Sequence, residues 1–386
     1  MTYPRAIARL LALCIREHDW DQRLGGIAEE LRGVNQDLLV EAAQLHRVNG
    51  AVFATLQHED EARPHVLRAL REQEMRTIGT QLRVESELWM CAEAFKGVPW
   101  LVSKGPVLSR HYYSRPSLRT YGDLDVLVPP QALGDAVSAL ERSGMRLLDR
   151  NWTLIQHLMA GEVHLATPLG GVVDLHWDMV NDRRTRESFS VNTSELFARS
   201  RLISVAGQQV RTLDGLDTLV HLALHAIRSG GDRLVWLKDL EQVLLRDRPA
   251  WPAIADRAGE QGLSLPVAVM LRRVDRVLSV KVPPGSCDTA SARAWVRLNS
   301  LVDRVEPTGR RGEGPSLTRM LSRATRSTGS GTQREFLRRL RHFARSRGEG
   351  QPDPMGLNPD ALLVDAGGRE GRQRFFDAVG RTSQDW

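Results

Sequence analysis

The chain of 386 residues has little that would anchor it in a membrane or cross-link it. No apolar run approaches the roughly 20 residues that a membrane-spanning helix requires. There are only 3 cysteines, Cys14, Cys91 and Cys287, which lie far apart and are odd in number. This count argues against a disulfide framework or a cysteine zinc site and suits a reducing compartment. We therefore expect a cytoplasmic protein without a membrane segment.

The first residues also lack the pattern of a secretion signal. Arg5 and Arg9 precede an apolar stretch, but acidic residues follow at once and no small-residue cleavage site appears. Ile7, Leu10 and Cys14 recur at spacings of three and four, which is the periodicity of an amphipathic helix. We expect this helix to pack against the rest of the protein.

Positive charge is unevenly distributed along the sequence. The net charge is +6, and residues 301–350 alone contain 12 Arg against 5 Asp or Glu. A basic face can hold nucleic acid or polyphosphate. The plainer interpretation is a solvated arginine-rich helix with flexible flanks, and we favour it because charge alone is weak evidence. A nucleic-acid partner is therefore not favoured.

Two aspartates stand on one predicted strand, within the run YGDLDVLV at 121–128. Side chains alternate between the faces of a strand, so Asp123 and Asp125 point one way while Leu124 and Val126 point into a core. Two like charges on one face repel each other and add nothing to packing. A divalent cation would account for them, because Mg²⁺ takes oxygen ligands, often one or two carboxylates plus substrate phosphates. The alternative is a solvated strand end after a turn.

A third carboxylate follows the same logic in a predicted hairpin of strands 162–167 and 172–177, joined by a Gly-rich turn. On its second strand Asp174 and His176 share one face, while Val173 and Leu175 share the other. Asp174 is either part of a site with the first pair or an exposed strand carboxylate. His176 is either a residue that tunes Asp174 or a structural, hydrogen-bonded histidine.

The order of these elements resembles the polymerase-β-like nucleotidyltransferase superfamily and, more narrowly, a bacterial group of poorly characterised nucleotidyltransferase-domain proteins. The resemblance covers roughly residues 40–250, and the combination of motifs is more specific than Asp-x-Asp alone. It is carried by HRVNGAVFATL at 46–56, WLVSKGPVL at 100–108, RTYGDLDVLV at 119–128, VVDLHWDM at 172–179 and HLALHAIRSGGDRLVWLKDLEQVL at 221–244.

The resemblance implies a mixed sheet with a site at the open strand ends. It implies that Asp123 and Asp125 hold Mg²⁺, or Mn²⁺, against the triphosphate of an NTP such as ATP. It further implies that Asp174 completes the metal site and helps to activate an acceptor hydroxyl. The activity expected is transfer of a nucleoside monophosphate to a hydroxyl or other acceptor on a small molecule or peptide. Such transfer needs charge neutralisation and an oriented nucleophile more than covalent chemistry.

One motif departs from the superfamily, in which a Gly-Ser turn binds phosphate. Here the turn reads Ser103-Lys104-Gly105-Pro106, and the narrower group also carries Lys-Gly at this place. Lysine can supply a point charge in place of the serine contact, and Pro106 suits the first position of a helix whose N-terminus favours an anion. We therefore expect Lys104, Gly105 and Arg119 at the triphosphate. A surface turn for Lys104, and an ion pair between Arg119 and the acidic cluster, are the alternatives.

Two histidines, His221 and His225, are spaced four apart on a predicted helix and could ligate zinc. No metalloprotease signature accompanies them. We favour a packed pair in which one histidine is bonded to Asp239 on the next helix.

We predict an α+β (α/β) fold: a small mixed-sheet nucleotidyltransferase domain flanked by helical N-terminal and C-terminal regions. The expected divisions are a helical lobe at 1–97, the catalytic domain at 98–213, a helical domain at 214–282, and a basic, partly flexible region at 283–386. The alternatives to nucleotidyl transfer are a non-catalytic, antitoxin-like regulatory protein on the same fold, and a phosphotransferase that uses the same site.

Overall fold

A computed structural model of the chain describes residues 3–17, 20–283, 290–305, 316–349 and 359–382. It confirms the α+β class: the protein is 64% helical, with 19 α-helices and one mixed sheet of seven strands in the part described. None of these helices is both long enough and apolar enough to cross a membrane.

The seven strands are β1 (Leu101–Val102), β2 (Leu124–Leu127), β3 (Arg146–Leu147), β4 (Glu162–Ala166), β5 (Val172–His176), β6 (Arg201–Val205) and β7 (Gln208–Thr212). The helices before the sheet are α1 (Arg5–Ile15), α2 (Trp20–Arg32), α3 (Gln36–His46), α4 (Asn49–Leu56) and α5 (Pro64–Ala94). Those between strands are α6 (Pro106–His111), α7 (Leu133–Arg142), α8 (Trp152–Leu158), α9 (Arg183–Arg186) and α10 (Thr193–Arg199). Those after the sheet are α11 (Gly215–Ser229), α12 (Leu234–Asp247), α13 (Trp251–Glu260), α14 (Ser264–Leu278), α15 (Ala290–Val305), α16 (Leu317–Ala324), α17 (Gly329–Glu349), α18 (Pro359–Leu363) and α19 (Gly368–Arg381).

The chain forms two compact units, each assembled from three separate stretches. The helical unit comprises Met1–Gly79, Leu108–Thr120 and Gly215–Arg339. The sheet unit comprises Thr80–Val107, Tyr121–Asp214 and Leu340–Trp386. The boundary between Met1–Gly79 of the helical unit and Thr80–Val107 of the sheet unit falls inside α5, so neither unit is one continuous block of the sequence.

The sheet has the strand order β3-β4-β5-β2-β1-β7-β6. The strands β4 and β5 form the antiparallel hairpin expected from the sequence, as do β6 and β7. The central strand β2 runs parallel to β5 and antiparallel to β1, and β1 runs parallel to β7. The pairing of β2 with β5 joins two segments that are distant in sequence, and it brings the two acidic motifs to adjacent strands.

Alternation along the strands gives the sheet one apolar face and one polar face. Leu124 and Val126 on β2, with Val173 and Leu175 on β5, are fully buried in the main core of the sheet unit. Core residues from α5, α7, α8 and α19 belong to the same cluster, so helices cover this face. Charged side chains occupy the opposite face of the same strands. Leu127 on that face belongs instead to a small apolar cluster with Leu196 of α10.

The sheet unit contains helices that the sequence does not predict, among them α8 and α19. The helix α8 begins after Asn151, whose side chain accepts a hydrogen bond from the Leu154 amide, as an N-cap does. The helix α19 lies in the region expected to be basic and partly flexible, yet its Phe375 and Val379 are fully buried in the main core. Few apolar residues recur at helical spacing in α19, and its other face is charged, so its sequence gives only a weak signal for a buried helix.

In the helical unit, α11, α12 and α14 pack on one another, and α1 packs on α3, α4 and α14. The apolar face of α1 includes Ile7, Leu10 and Cys14, all buried, as the spacing predicts. The helices α15 and α16 add to the α14 and α11 side of the bundle. Cys287 lies outside the described residues.

Candidate active site

Three carboxylates meet at one end of the β2–β5 pair. Asp125 and Asp174 are direct register partners across the two parallel strands, and Asp123 comes two residues before Asp125. The Asp125 side chain is 5% exposed and that of Asp174 is 19% exposed, whereas Asp123 is exposed at the edge. Asp123 is also close enough to contribute to the electrostatic environment of Asp174. The structure therefore brings the three predicted acidic residues together.

Two basic groups converge on the buried Asp125. Lys104 Nζ lies 2.7 Å from Asp125 Oδ1, and His176 Nε2 lies 3.1 Å from the same oxygen. Burial by itself would raise the pKa of Asp125, but Lys104 and His176 outweigh burial and hold the pKa below its ordinary range. The carboxylate is therefore charged. His176 contacts Asp125 directly, and its charge also acts on Asp174.

Asp174 has the opposite electrostatic character. Burial, followed by the negative charge of Asp125, raises the pKa of Asp174 to about 7. This is the behaviour of crowded carboxylates whose charge is only partly compensated. A divalent cation is one group that would compensate it.

Two residues of β4 extend the polar face and were missed by the sequence analysis. His164 is the cross-strand partner of Asp174, and Glu162 is the partner of His176. Glu162 Oε2 lies 3.0 Å from His176 Nδ1, so His176 bridges two carboxylates. The signal was present, because Glu162 and His164 alternate with buried Val163 and must share the face of the hairpin that carries Asp174.

His164 is held by a carboxylate outside the hairpin. Asp149 Oδ2 lies 2.7 Å from His164 Nδ1 and also accepts a hydrogen bond from the His164 amide at 2.8 Å. This fixes the ring so that Nε2 lies 3.8 Å from Asp174 Oδ1. Burial opposes the imidazolium, but the Asp149 contact outweighs burial and raises the pKa of His164 to about 9. His164 therefore places a positive charge beside Asp174.

The Lys104-Gly105 turn positions its lysine beside the carboxylates. Gly105 has φ +58°, in the left-handed region that favours glycine. A Cβ on Gly105 would lie 3.4 Å from the Asp123 carbonyl oxygen and 3.6 Å from the Tyr121 ring, so the turn packs closely against β2. The helix that follows, α6, has only 6 residues. The observed contact of Lys104 is the ion pair with Asp125, which stands against a simple surface turn.

Arg119 belongs to the helical unit and makes a buried pair there. Its Nε and Nη2 donate to the two oxygens of Asp239 at 2.7 and 3.0 Å. Tyr113 donates its hydroxyl to Asp239 Oδ1 at 2.6 Å. Burial, and then the charge of Asp239, raise the pKa of Tyr113. The sequence placed Arg119 at the phosphates or beside the acidic cluster, whereas its described contacts are with Asp239.

The two histidines of α11 lie with their rings near each other. The ring centroids of His221 and His225 are 6.5 Å apart, and His225 makes an edge contact with Trp236 at 6.1 Å. Asp239, which the sequence assigned to one of these histidines, receives Arg119 and Tyr113. The two rings thus lie near each other, whereas the expected bond from one of them to Asp239 stays a prediction, because the described partners of Asp239 are Arg119 and Tyr113.

The donor set of the carboxylate cluster suits a hard cation. Asp123, Asp125 and Asp174 provide oxygen atoms on neighbouring strands, which is the ligand type that Mg²⁺ prefers. Within the described ranges, no three His, Cys, Asp or Glu side chains are already grouped as a metal site. Lys104 and His176 contact Asp125, and these contacts would have to give way to a metal ion.

A mixed sheet with Asp-x-Asp at the start of one strand and a third carboxylate on its parallel neighbour is the arrangement that the resemblance to nucleotidyltransferases leads us to expect. Over residues 32–279 the chain matches the family described as uncharacterised nucleotidyltransferase, and it belongs to that family. The resemblance stated from the sequence is thus confirmed. No curated protein and no solved structure matches the chain.

Proposed function

We propose that this protein transfers a nucleoside monophosphate from an NTP to a hydroxyl or other acceptor on a small molecule or peptide, with Mg²⁺ or Mn²⁺ as cofactor. The observation that supports this most is the register of β2 and β5, which sets Asp125 directly beside Asp174 with Asp123 at the open edge. Family membership supports a transferase of this class.

Asp123, Asp125 and Asp174 would hold the metal ion. When bound, the ion would neutralise phosphate charge and orient the reacting oxygens. The chain's own contribution is to present three carboxylates from a rigid sheet, whose opposite face is anchored in the core. Lys104 would then release Asp125 and donate from its ammonium group to a phosphate oxygen, as a mobile point charge can.

In the proposed reaction, the acceptor oxygen attacks the α-phosphorus, and the bond from that phosphorus to the bridging oxygen of the β-phosphate breaks. Pyrophosphate leaves with the electron pair of that bond. The acceptor proton passes to a carboxylate oxygen of Asp174. His164 holds positive charge next to Asp174 and orients it without contacting the substrate in this scheme.

The test is to incubate the protein with Mg²⁺, a pool of candidate acceptors and each NTP labelled at the α- or γ-phosphate. We expect pyrophosphate release and an α-labelled product, and a decrease in rate of at least about 100-fold in Asp125→Asn and Asp174→Asn. Asp135→Asn, an exposed carboxylate on α7, is the matched control and should retain the full rate.

Other outcomes separate the remaining functions. A γ-labelled product with release of the nucleoside diphosphate would identify a phosphotransferase. Nucleotide binding without turnover of any NTP, unchanged in Asp125→Asn, would indicate a non-catalytic regulatory protein. Both results would overturn the proposal.

A further inference from the structure

The helical unit contains a concave site whose lining includes none of the sheet carboxylates. It is a cavity of about 500 Å³, within the range typical of small-molecule sites. Its lining residues come from α1, α12, α14, α15, α16 and the connection between α11 and α12. Its polar lining consists of Arg5, Arg9, Arg16, Asp232, Arg273, Arg276, Asp303 and Thr318.

The α1 wall is built from arginines separated by small residues. Arg9 lies four positions after Arg5 on α1, and Arg16, the residue directly after the helix, lies eleven positions after Arg5, so the spacing keeps the three on one side. Ala8 and Ala12 lie between them. Because each alanine is short, space remains along the helix. At 1.5 Å per residue, Arg5 and Arg16 are about 16 Å apart along the axis. The cavity is thus elongated and carries basic groups along its length.

The lining has an excess of positive charge. It contains five arginines and two aspartates, and both aspartates already pair with arginine. Asp303 Oδ2 lies 2.8 Å from Arg273 Nε, and Asp232 Oδ2 lies 2.7 Å from Arg319 Nε. Arg9 pairs with Glu30 of α2. When the pairing residues Glu30 and Arg319 are counted as well, six arginines stand against three acidic residues. The remaining positive charge favours an anion.

Arg273 makes the α14 wall rigid. Its side chain is 4% exposed, and it donates to Asp303, to the Gly231 carbonyl, to Ser322 Oγ and to Asn299 Oδ1. Gly231 has φ +68°, and a Cβ there would collide with the Arg273 guanidinium. The cavity is therefore formed by interlocked side chains of one unit.

The lining contains one buried hydroxyl, that of Thr318, for which the described residues provide no hydrogen-bond partner. Thr318 is 4% exposed, and its Oγ1 makes no hydrogen bond with any part of the chain that the structure describes. A buried hydroxyl without a partner costs free energy. A ligand oxygen in the cavity would supply that partner.

From these features we propose that this cavity binds an elongated small-molecule polyanion that carries at least two oxyanion groups, phosphate or carboxylate. Guanidinium groups recognise both groups through paired N–H donors. Arginines spaced along α1 favour separated charges over a single compact ion. Thr318 contributes one hydroxyl contact.

The test is calorimetric titration of the full chain with inorganic triphosphate, ATP and citrate, in EDTA so that metal-dependent binding at the sheet is suppressed. We expect at least one of the three to bind. We expect at least tenfold weaker binding in Arg276→Gln, and a smaller loss in Thr318→Val, which keeps the side-chain shape. Tighter binding of ATP than of citrate would identify a phosphorylated ligand, and the reverse a polycarboxylate.

Arg272→Gln is the matched control. Arg272 is on the same helix, is 56% exposed, pairs with Asp275 and does not line the cavity, so binding should stay within twofold. Asp125→Asn should not weaken binding, because Asp125 does not line the cavity. The proposal is overturned by absence of binding at millimolar ligand, by equal loss in Arg272→Gln, by loss in Asp125→Asn, or by binding of a single-stranded oligonucleotide in place of all three small anions.

Discussion

At the scale of single residues, the sheet site depends on one buried carboxylate that has two basic partners. Asp125 is held charged by Lys104 and His176, and His176 in turn contacts Glu162. A buried ion pair adds little net stability compared with apolar residues, but removing one member leaves a buried charge. Lys104 therefore contributes to stability before any substrate binds.

Replacing Lys104 by Met should lower the free energy of unfolding by roughly 2–4 kcal/mol, because Asp125 stays buried with one basic partner fewer. The measurement is urea denaturation followed by circular dichroism. Lys96→Met is the control: Lys96 pairs with Glu93 at 2.6 Å, but its side chain is 73% exposed. A surface pair of this kind should change stability by about 0.5 kcal/mol or less. Equal effects of the two substitutions would contradict a structural role for Lys104.

Protonation of His164 predicts a pH dependence of stability in metal-free buffer. Its pKa is raised to about 9 in the folded protein, against 6.5 for an ordinary histidine, because Asp149 outweighs burial. A raised pKa means that this stabilisation is complete below pH 6.5 and is lost as the pH rises towards 9. Asp174, with a pKa raised by burial and Asp125 to about 7, acts in the same direction, losing stability between about pH 4 and 7.

His164→Gln should therefore be less stable than the wild type at pH 6, by on the order of 2 kcal/mol, and the difference should shrink by pH 9. Thermal unfolding between pH 6 and 9 in EDTA measures it. Replacing the exposed His157 of α8 by Gln provides the control and should leave the wild-type slope unchanged. A constant difference between His164→Gln and wild type across this range would rule out the charged pair with Asp149.

At the scale of elements, the alternation of apolar and polar residues predicts the strands of the sheet, whereas no sequence pattern predicts its long-range contacts. Around β2, Asp123 and Asp125 alternate with the buried Leu124 and Val126, and this alternation indicates both the strand and its polar face. The hairpin of β4 and β5 follows from two alternating segments and a Gly-rich turn. By contrast, the Arg119–Asp239 pair joins residues 120 positions apart, and no local pattern encodes such a partner. Direct pairing of β2 with β5 is likewise a property of topology that no local pattern encodes. The family resemblance implied only that Asp174 joins the other two aspartates.

The helix α19 illustrates the same limit, and its role is testable. Phe375 is fully buried in the core of the sheet unit, and its ring lies 5.9 Å from that of Trp152. Phe375→Ala should cost about 3–5 kcal/mol, the usual range for a fully buried phenylalanine. Arg374→Ala on the same helix is the control, because its side chain is 60% exposed and its loss should change stability by about 0.5 kcal/mol or less. Similar urea midpoints for both variants would mean that α19 is not docked on α8.

At the scale of the whole molecule, each unit is completed by distant parts of the chain. The sheet takes core residues from α5, before it in sequence, and from α19, more than 150 residues after β7. The segment between β3 and α8 is also bonded to α18, because the amides of Arg150 and Asn151 both donate to the Leu362 carbonyl, at 2.8 and 3.0 Å. Stability of the sheet therefore depends on contacts of high sequence separation.

This organisation predicts how fragments behave. A fragment of residues 98–213 contains every strand but lacks Val84, Leu88 and Cys91 of α5, and Phe375 and Val379 of α19, all of which are buried in the sheet core. Its apolar sheet face would be covered only in part, by α7 and α8, so we expect a collapsed species with secondary structure but no fixed packing. Amide NMR spectra should show poor dispersion, and urea unfolding should not be cooperative.

The matched fragment joins 80–214 to 359–382 through a Gly/Ser linker of about 30 residues, which has an r.m.s. span of about 30 Å. It restores both helices, so it should give dispersed amide signals and a cooperative unfolding transition. Introducing Phe375→Ala into this fragment should abolish that transition, because an isolated sheet unit has less stability to lose than the full chain. Cooperative unfolding of 98–213 by itself would instead mean that the sheet and its local helices form a self-sufficient core.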